Sequence, residues 1–350
     1  MPQQFTSLSA ILNHGFDTVI DVRSPAEFAE DHLPGAVNLP ALSNEQRAEV
    51  GTIYKQVSAF DARKLGAGMV VRNVADHIDG PLRDKDGAWR PLVYCWRGGQ
   101  RSGVFTTLLS EIGWRAETIK GGYTSFRRKV KSYLYDDPLP HRFVLLDGYT
   151  GTAKTELLSR LKTRGVQVID LEELAHHRGS LLGARPGGQP AQKGFETRLA
   201  VALQRCDPDR PVVIEAESSK IGRISLPVSV WAVMTTAPRI VVQAPIDARA
   251  IYLAQAYREV ISDPVAVAEK LTPLRRLRGH EVVDNWIALS KAGALVELSK
   301  ALMVEHYDPT YAKSRKIAER DVLGEITTNT LDADGQNRTA DQIAAMLRGS

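Results

Sequence analysis

Cys95 lies in the run Val93-Tyr-Cys-Trp-Arg-Gly-Gly-Gln-Arg-Ser102, between a short apolar stretch and a helical one. A strand that delivers a cysteine into a glycine-containing loop, with a helix directly after it, has a specific chemical use. Successive backbone N–H groups and the helix N-terminus face whatever sits over the sulfur, so the loop is an anion cradle. The same field, with Arg97 and Arg101 nearby, lowers the thiol pKa and holds the thiolate, the nucleophilic form. The plainer alternative is a core cysteine at a strand end. Two glycines, Gly98 and Gly99, and two arginines have no part in that alternative.

A second constellation follows an apolar run at 142–146. It reads Asp147-Gly-Tyr-Thr-Gly-Thr-Ala-Lys-Thr155 and leads into a helix expected over 156–164. Strand, glycine loop, Lys-Thr and helix is the P-loop layout, in which backbone N–H groups and the lysine hold a phosphate chain. Its candidate residues are Gly148, Thr150, Gly151, Thr152, Lys154 and Thr155. One position departs from the pattern: Ala153 stands where glycine precedes the lysine, and a positive φ there is strained.

Other groups carry less chemistry by themselves. His176, His177 and Arg178 occupy a glycine-flanked loop after a strand expected over 167–170. Glu215 and Glu217 end a later strand, where a nucleotide hydrolase places an acidic group for magnesium. Arg275, Arg276 and Arg278, with His280, form a basic cluster suited to nucleic-acid phosphates. A solvated loop and a solvated helix end are the corresponding plain readings. Cys206, in Cys-Asp-Pro-Asp, has no motif around it and reads as incidental.

The elements that must position these residues come in two sets, as expected for 350 residues. Strands expected over 18–22, 36–39, 92–94 and 117–120 alternate with helices over 26–31, 102–114 and 123–134. Ser24-Pro25 supplies an N-cap and a proline at the first helical position. That rhythm predicts an α/β domain over 1–135, a mainly parallel sheet with helices on both faces. A Pro- and Asp-rich linker follows at 136–141. The second α/β domain, 142–350, takes strands over 142–146, 167–170, 211–215, 231–234 and 239–242. From 247 onward helices are expected over 248–260, 264–276, 281–292 and after 339, with an exposed loop at 332–337.

Composition is that of a soluble globular chain, 43% hydrophobic and 25% charged. No apolar run has the length of a membrane span, and the first residues lack the layout of a secretory signal. Two cysteines in different predicted domains argue against a disulfide framework or a zinc site and for a reducing compartment, so a cytoplasmic location is expected. A net charge of +4 permits nucleic-acid binding without demanding it.

The run Asp21-Val-Arg-Ser-Pro-Ala-Glu-Phe-Ala-Glu-Asp-His-Leu-Pro-Gly-Ala-Val-Asn-Leu-Pro40 resembles the opening of rhodanese-like domains, over about residues 1–135. The resemblance places Cys95 on the cysteine that those domains load as Cys–S–S⁻ or Cys–S–Se⁻, an anion that wants N–H donors. Cys95 to Arg101 spans seven residues. Sulfur-handling rhodaneses generally close this loop one residue sooner, and the longer loop resembles the rhodanese-fold phosphatases. The spacing therefore favours a tetrahedral, phosphate-sized ligand. A phosphatase, with Cys95 attacking phosphorus and Arg101 clamping the oxygens, satisfies it. A selenophosphate or thiophosphate donor satisfies it equally.

The whole chain resembles the tRNA 2-selenouridine synthases. The match is carried by the Cys95 run, the P-loop, Asp170-Leu-Glu-Glu-Leu-Ala-His-His-Arg-Gly-Ser180 and Gly188-Gln-Pro-Ala-Gln-Lys-Gly-Phe-Glu196. Glu215-Ala-Glu-Ser-Ser-Lys-Ile-Gly222 and His306-Tyr-Asp-Pro-Thr-Tyr-Ala-Lys-Ser314 extend it. The resemblance implies replacement of sulfur by selenium in the wobble 2-thiouridine of tRNA. Selenophosphate is then the donor, and an S-geranylated uridine made with geranyl diphosphate is the intermediate. It implies Cys95 as the catalytic residue and Arg97, Gly98, Gly99 and Arg101 as the selenophosphate site. The P-loop residues would hold the diphosphate, and Arg275, Arg276 and Arg278 tRNA phosphates. His176, His177, Arg178, Glu215 and Glu217 are further candidates in the second domain. No tightly bound cofactor is expected. Magnesium is admitted, but Glu-Ala-Glu lacks the further acid expected between the two in this family, and ATP hydrolysis is not favoured. Two other readings stand beside this one. The first is a rhodanese-fold phosphatase or sulfurtransferase with a regulatory nucleotide-binding domain. The second is a P-loop RNA-binding module with an inert rhodanese half, against which the intact Cys95 argues.

Overall fold

The computed structural model describes residues 2–261, 263–317 and 321–349. The chain forms two compact units, residues 1–138 with 190–201, and residues 139–189 with 202–350.

The first unit is built on strands β1 (Thr18–Asp21), β2 (Val37–Asn38), β3 (Pro91–Tyr94) and β4 (Glu117–Thr118), in the order β2-β1-β3-β4. All three pairings are parallel, with Asp21 opposite Tyr94 and Val93 opposite Thr118. Every residue of β3 is buried. Ile20, Val22, Val70, Val74, Val93, Phe105 and Leu109 make the core on one face of this sheet. Helix Pro25–Glu30 starts at Ser24, whose backbone N–H donates to the Glu27 carboxylate at 3.1 Å. Two helices that the sequence reading did not place, Asn44–Gln56 and Ala59–Asp79, fill the crossover from β2 to β3. Ser43 and Ser58 cap them by accepting from the N–H groups of Gln46 and Asp61.

The first unit differs from expectation at its end. Helix Gly122–Lys131 continues into a π-helical turn, Ser132–Asp136, so ordered structure runs into the expected linker. Residues 190–201, expected in the second domain, group with the first unit instead. Their sequence gives no sign of this because the partners lie far away in the chain. Glu196 pairs with Arg127 and accepts from the Tyr135 hydroxyl at 2.9 Å. Thr197 donates to Asp31 at 3.0 Å, and Lys193 pairs with Glu30 at 2.8 Å.

The second unit carries β5 (Phe143–Asp147), β6 (Gln167–Ile169), β7 (Val212–Glu215), β8 (Lys220–Ile221), β9 (Ile224–Ser225), β10 (Arg239–Gln243) and β11 (Val322–Thr327). Five of them form a wholly parallel sheet, β11-β10-β5-β7-β6, while β8 and β9 pair as a small antiparallel ribbon. β5, central in the sheet, is buried at all five positions.

Several expectations are corrected here. The run expected as a strand over 231–234 lies within helix Val228–Thr236. A short apolar run has no period that separates a strand from a buried helix, and Pro227 at the cap starts the helix. The loop expected over 332–337 is the first part of helix Ala333–Gly349, with Gly335 and Gln336 buried. Asp332 holds that helix start by accepting from the Gly335 N–H at 2.7 Å. Between the expected helices of the mostly helical C-terminal region, β11 adds an edge strand in which only Ile326 is buried, too little alternation to announce it. The helices expected over 248–260 and 264–276 are each interrupted. The first breaks after Ala256, and the second turns through a 3₁₀ segment at Thr272–Leu274 containing Pro273. Among the described residues no helix is long and apolar enough to cross a membrane.

Candidate active sites

In the first unit the site begins where β3 ends. Cys95 is buried, and its Sγ accepts from the Gly99 N–H at 3.3 Å and the Ser102 hydroxyl at 3.2 Å. Burial pushes the thiol pKa up. The Ser102 hydroxyl, the Ser102 and Gly99 amides and the Arg101 charge together outweigh it, so the net shift is downward. Helix Gln100–Ile112 starts two residues earlier than expected, which puts its N-terminus directly at the sulfur. The loop is held from behind. Tyr123 N–H donates to the Cys95 carbonyl at 2.9 Å and Thr124 N–H to that of Trp96 at 3.0 Å. Gly122 has φ +54, and a Cβ there would sit 2.3 Å from the Cys95 carbonyl oxygen, so only glycine fits.

Arg101 donates to Glu27 at 2.9 Å, and Arg47 approaches the same carboxylate at 3.8 Å. Burial raises the Glu27 pKa, but Arg101, the Ser24 N–H and Arg47 reverse the shift and hold the carboxyl below its usual range. Arg97, Gly98 and Gly99 are exposed. Ser102 and Glu27 were not assigned as site residues from sequence. Ser102 was legible as the residue closing the Cys95 run; Glu27 comes from another helix.

Beneath the loop lies a buried charge network. Arg23 is fully buried and donates to both carboxylate oxygens of Asp21 and to the Asp31 carbonyl at 2.6 Å. Its guanidinium lies 3.9 Å from the centre of the Tyr123 ring. The Tyr123 hydroxyl in turn donates to Asp31 at 2.8 Å.

The second unit places the P-loop between β5 and helix Lys154–Thr163. Ala153 has φ +60, the left-handed conformation that the sequence marked as strained. Gly151 is also left-handed, and a Cβ on Gly148 would meet Thr152 Oγ1 at 2.5 Å and the Val242 carbonyl at 2.9 Å. Lys154 Nζ reaches across the loop to the Gly148 carbonyl at 2.9 Å. Thr152 donates to the Tyr149 carbonyl, and Thr155 donates to Glu172 at 3.2 Å. Arg249 fixes the loop from outside, with Nε on the Thr150 carbonyl at 2.9 Å and two bonds to Asp308 at 3.0 and 2.6 Å.

Glu215 and Glu217 do share this site, together with Glu172, which the sequence reading did not assign. Glu215 is buried, and its Oε1 accepts from the Glu172 N–H at 2.8 Å. Burial, then the charge of Glu217, pushes the Glu172 pKa up to about 8, while Lys154 opposes the shift. Glu215 and Glu217 are raised as well, chiefly by burial. The Thr155 hydroxyl and the Glu172 and Glu217 carboxylates are the hard oxygen donors that magnesium takes. Glu215 Oε2 is buried without a hydrogen-bond partner. Among the described residues, however, no group of three or more His, Cys, Asp or Glu is arranged to hold a metal. The donor set therefore fits an ion shared with a ligand's phosphate oxygens rather than a protein cage.

The loop at 176–179 lies against these acids. A Cβ on Gly179 would be 2.6 Å from Glu172 Oε1 and 2.9 Å from Glu217 Oε2. His176 has φ +49, and its Nδ1 lies 2.8 Å from the Gly188 carbonyl oxygen. His177 Nδ1 accepts from the Gly179 N–H at 3.1 Å, and Arg178 stacks on Tyr257, 4.8 Å from the ring centre. The basic cluster further on is divided. Arg275 pairs with Asp284, and Arg278 bonds His306 and Thr310, while Arg276 is exposed. Cys206 donates to the Ala202 carbonyl, and burial raises its pKa, the opposite of Cys95.

Residues 4–129 match the family model for the rhodanese-like domain, and residues 141–273 that for the tRNA 2-selenouridine synthase AAA domain. The chain is 36% identical over 267 residues to the tRNA 2-selenouridine synthase of Hahella chejuensis (strain KCTC 2396), covering 75% of this chain and 67% of that protein. It is 31% identical over 326 residues to that of Shewanella halifaxensis (strain HAW-EB4), covering 84% of this chain and 87% of that one. The chain belongs to the tRNA 2-selenouridine synthase family. A third relative in the family, from Alcanivorax borkumensis (strain ATCC 700651 / DSM 11573 / NCIMB 13689 / SK2), is 31% identical over 341 residues, covering 87% of this chain and 90% of its own.

Two outcomes are expected of this member of the tRNA 2-selenouridine synthase family. Its Cys95 thiolate, followed by ultraviolet absorbance against a Cys95→Ser blank, should titrate below the ordinary thiol value of about 8.5. In Ser102→Ala the midpoint should rise by roughly 1–2 pH units, the equivalent of about 1.5–3 kcal/mol for a hydrogen bond to a charged group. An unmoved midpoint would remove Ser102 from thiolate stabilisation. Ala153→Gly should raise the urea midpoint by relieving about 1 kcal/mol of left-handed strain. A lower midpoint would show that Ala153 is relaxed where it stands.

Proposed function

We propose that this chain converts the wobble 2-thiouridine of tRNA to 2-selenouridine. The selenium comes from selenophosphate, and the route passes through S-geranyl-2-thiouridine formed with geranyl diphosphate. The observation that supports it most is that one chain of this family carries two anion loops of different kinds. One holds a cysteine whose sulfur accepts from the Ser102 hydroxyl, and the other holds a lysine and a threonine beside carboxylates.

In the first step the thiocarbonyl sulfur bonds the allylic carbon of geranyl diphosphate, the diphosphate leaves with the C–O electron pair, and N3 of the base gives up its proton to water. Lys154 exchanges the Gly148 carbonyl for a diphosphate oxygen, and the amides of Gly148–Thr155 take others, which favours departure. Magnesium, held by Thr155 and the carboxylates of Glu172 and Glu217, would supply further charge neutralisation on the leaving oxygens. Alkylation turns a poor leaving sulfur into a neutral thioether. In the second step selenium adds at C2, geranylthiolate leaves with the C–S pair and takes a proton, and water cleaves the P–Se bond to release phosphate. Cys95 and its loop serve this step, with Arg97 and Arg101 on the selenophosphate oxygens. Arg101 reaches them by leaving Glu27.

Mass spectrometry of nucleosides from 2-thiouridine tRNA, incubated with geranyl diphosphate and selenophosphate separately and together, tests both steps. Cys95→Ala should lose selenium incorporation by at least about 100-fold and keep geranylation, whereas Lys154→Ala should lose geranylation, and with it selenation of 2-thiouridine tRNA, but keep selenation of tRNA supplied already geranylated. Loss of geranylation in Cys95→Ala, or loss of selenation of pre-geranylated tRNA in Lys154→Ala, contradicts the division between the loops. An unchanged nucleoside, with phosphate released from a generic phosphoester, would favour a phosphatase.

A further inference from the structure

The second unit contains a cavity of about 330 Å³ apart from the P-loop, lined by Arg178, Arg185, Lys270, Glu259 and Asp263 among others. We propose that this cavity binds a phosphate group, a backbone phosphodiester of the bound tRNA. The inference deepens the tRNA reading above, and rests on it only for the source of the phosphate.

Two of its three cations are held in place by a tight loop. His177 and Ala184 form an antiparallel bridge, Arg178 N–H donates to the Gly183 carbonyl at 2.8 Å, and Gly183 N–H donates to the Ser180 carbonyl at 2.9 Å. Arg178 is further fixed by its stacking on Tyr257, and Arg185 by one bond to Glu173 at 2.6 Å. Lys270 comes from helix Pro264–Leu271. Ordering these side chains in advance lowers the entropy lost when they bind.

The unsatisfied groups point to an acceptor. Arg178 Nη1 and Arg185 Nε are buried and have no hydrogen-bond partner. A buried N–H left without an acceptor keeps an uncompensated desolvation cost, so two in one cavity call for a ligand rich in acceptor oxygens. Three cations, Arg178, Arg185 and Lys270, outnumber the two acids of the lining, Glu259 and Asp263. Asp263 is engaged by the N–H groups of Val265 and Ala266 at 3.0 and 3.2 Å. At His177, burial first and then the charges of Arg185 and Lys270 push the imidazole pKa down, so the positive field prevails there. Guanidinium forks match phosphate oxygens in geometry. The volume lies at the small end of ligand pockets, enough for a phosphate with part of its sugar, and its charged lining rejects an isoprenoid chain.

The test uses the full chain. Fluorescence anisotropy of labelled tRNA is measured against salt for wild type, Lys270→Gln, Lys270→Arg and Arg185→Gln. Inorganic phosphate and geranyl diphosphate are titrated separately by calorimetry. Lys270→Gln should weaken tRNA binding several-fold and reduce the salt slope by about 1, as the loss of one phosphate contact does. Lys270→Arg should restore both, and geranyl diphosphate affinity should not move. Unchanged tRNA affinity and slope in both glutamine variants overturn the proposal. If those variants lose only inorganic phosphate binding, the cavity serves a free phosphate compound, and the RNA assignment is overturned. A wild type that binds no tRNA refutes the functional reading instead, and phosphate titration of the variants then decides on the cavity alone.

Discussion

Both candidate sites depend on one backbone constraint: a buried parallel strand must turn into a helix within a few residues at the carboxyl edge of its sheet. β3 does this between Tyr94 and Gln100, and β5 between Asp147 and Lys154. Such a turn needs left-handed backbone, supplied by Gly98 in one loop and by Gly151 and Ala153 in the other. It also leaves the first amides of the helix without intrahelical partners, aimed at the loop they close. Each turning strand is an inner strand, so the rest of the sheet fixes where those amides point. Anion binding at the carboxyl ends of the strands follows from the topology before any particular side chain is chosen.

The chemistry that distinguishes the two loops is set by the groups behind them. Under Cys95 the floor is charged: Arg23 is enclosed by Asp21, the Asp31 carbonyl and the Tyr123 ring. Removing one partner from a buried pair of this kind costs about 3–5 kcal/mol, because the other charge is left uncompensated. Tyr123 belongs to this network through its ring and its hydroxyl, and its backbone N–H holds the Cys95 carbonyl. The position of the Cys95 sulfur is thereby tied to a network that cannot rearrange cheaply. Behind the P-loop the groups are carboxylates instead, crowded and partly buried, with Glu172 raised to about 8. A cation brought near them restores their charged form, so phosphate and its counter-ion are favoured together.

The features legible in the sequence are those encoded within a few residues. Buried parallel strands appear as short apolar runs, and both loops carry their own glycines, lysine or cysteine. Ala153 was legible to the extent that its left-handed backbone followed from motif position alone. What escaped depends on distance along the chain. Glu172 meets Glu215 and Glu217 only because β6 and β7 are neighbours in the sheet. Glu27 reaches Arg101 from a helix 74 residues earlier. Residues 190–201 join the first unit through Arg127, Tyr135 and Asp31, none of which marks them locally. The run 231–234 reads as a strand though it lies within helix Val228–Thr236, because four apolar residues in a row carry no period.

The two loops solve one electrostatic problem in different ways. A cation kept beside an anion site needs a partner weaker than the ligand it will meet. Lys154 is held by the Gly148 carbonyl, a neutral acceptor, and on the proposed function a diphosphate oxygen would carry charge, so the exchange would favour the ligand. Arg101 is held by a full carboxylate, which is a stronger competitor. Its release is eased because Glu27 keeps two other donors, the Ser24 N–H at 3.1 Å and Arg47 at 3.8 Å, and is not stranded when Arg101 turns away. On the proposed function, a ligand of the Cys95 loop would have to offer more than one negative oxygen to draw Arg101 from Glu27. A dianionic phosphate-type donor meets that requirement and a singly charged one does so less well, which is a selectivity the loop amides alone do not provide.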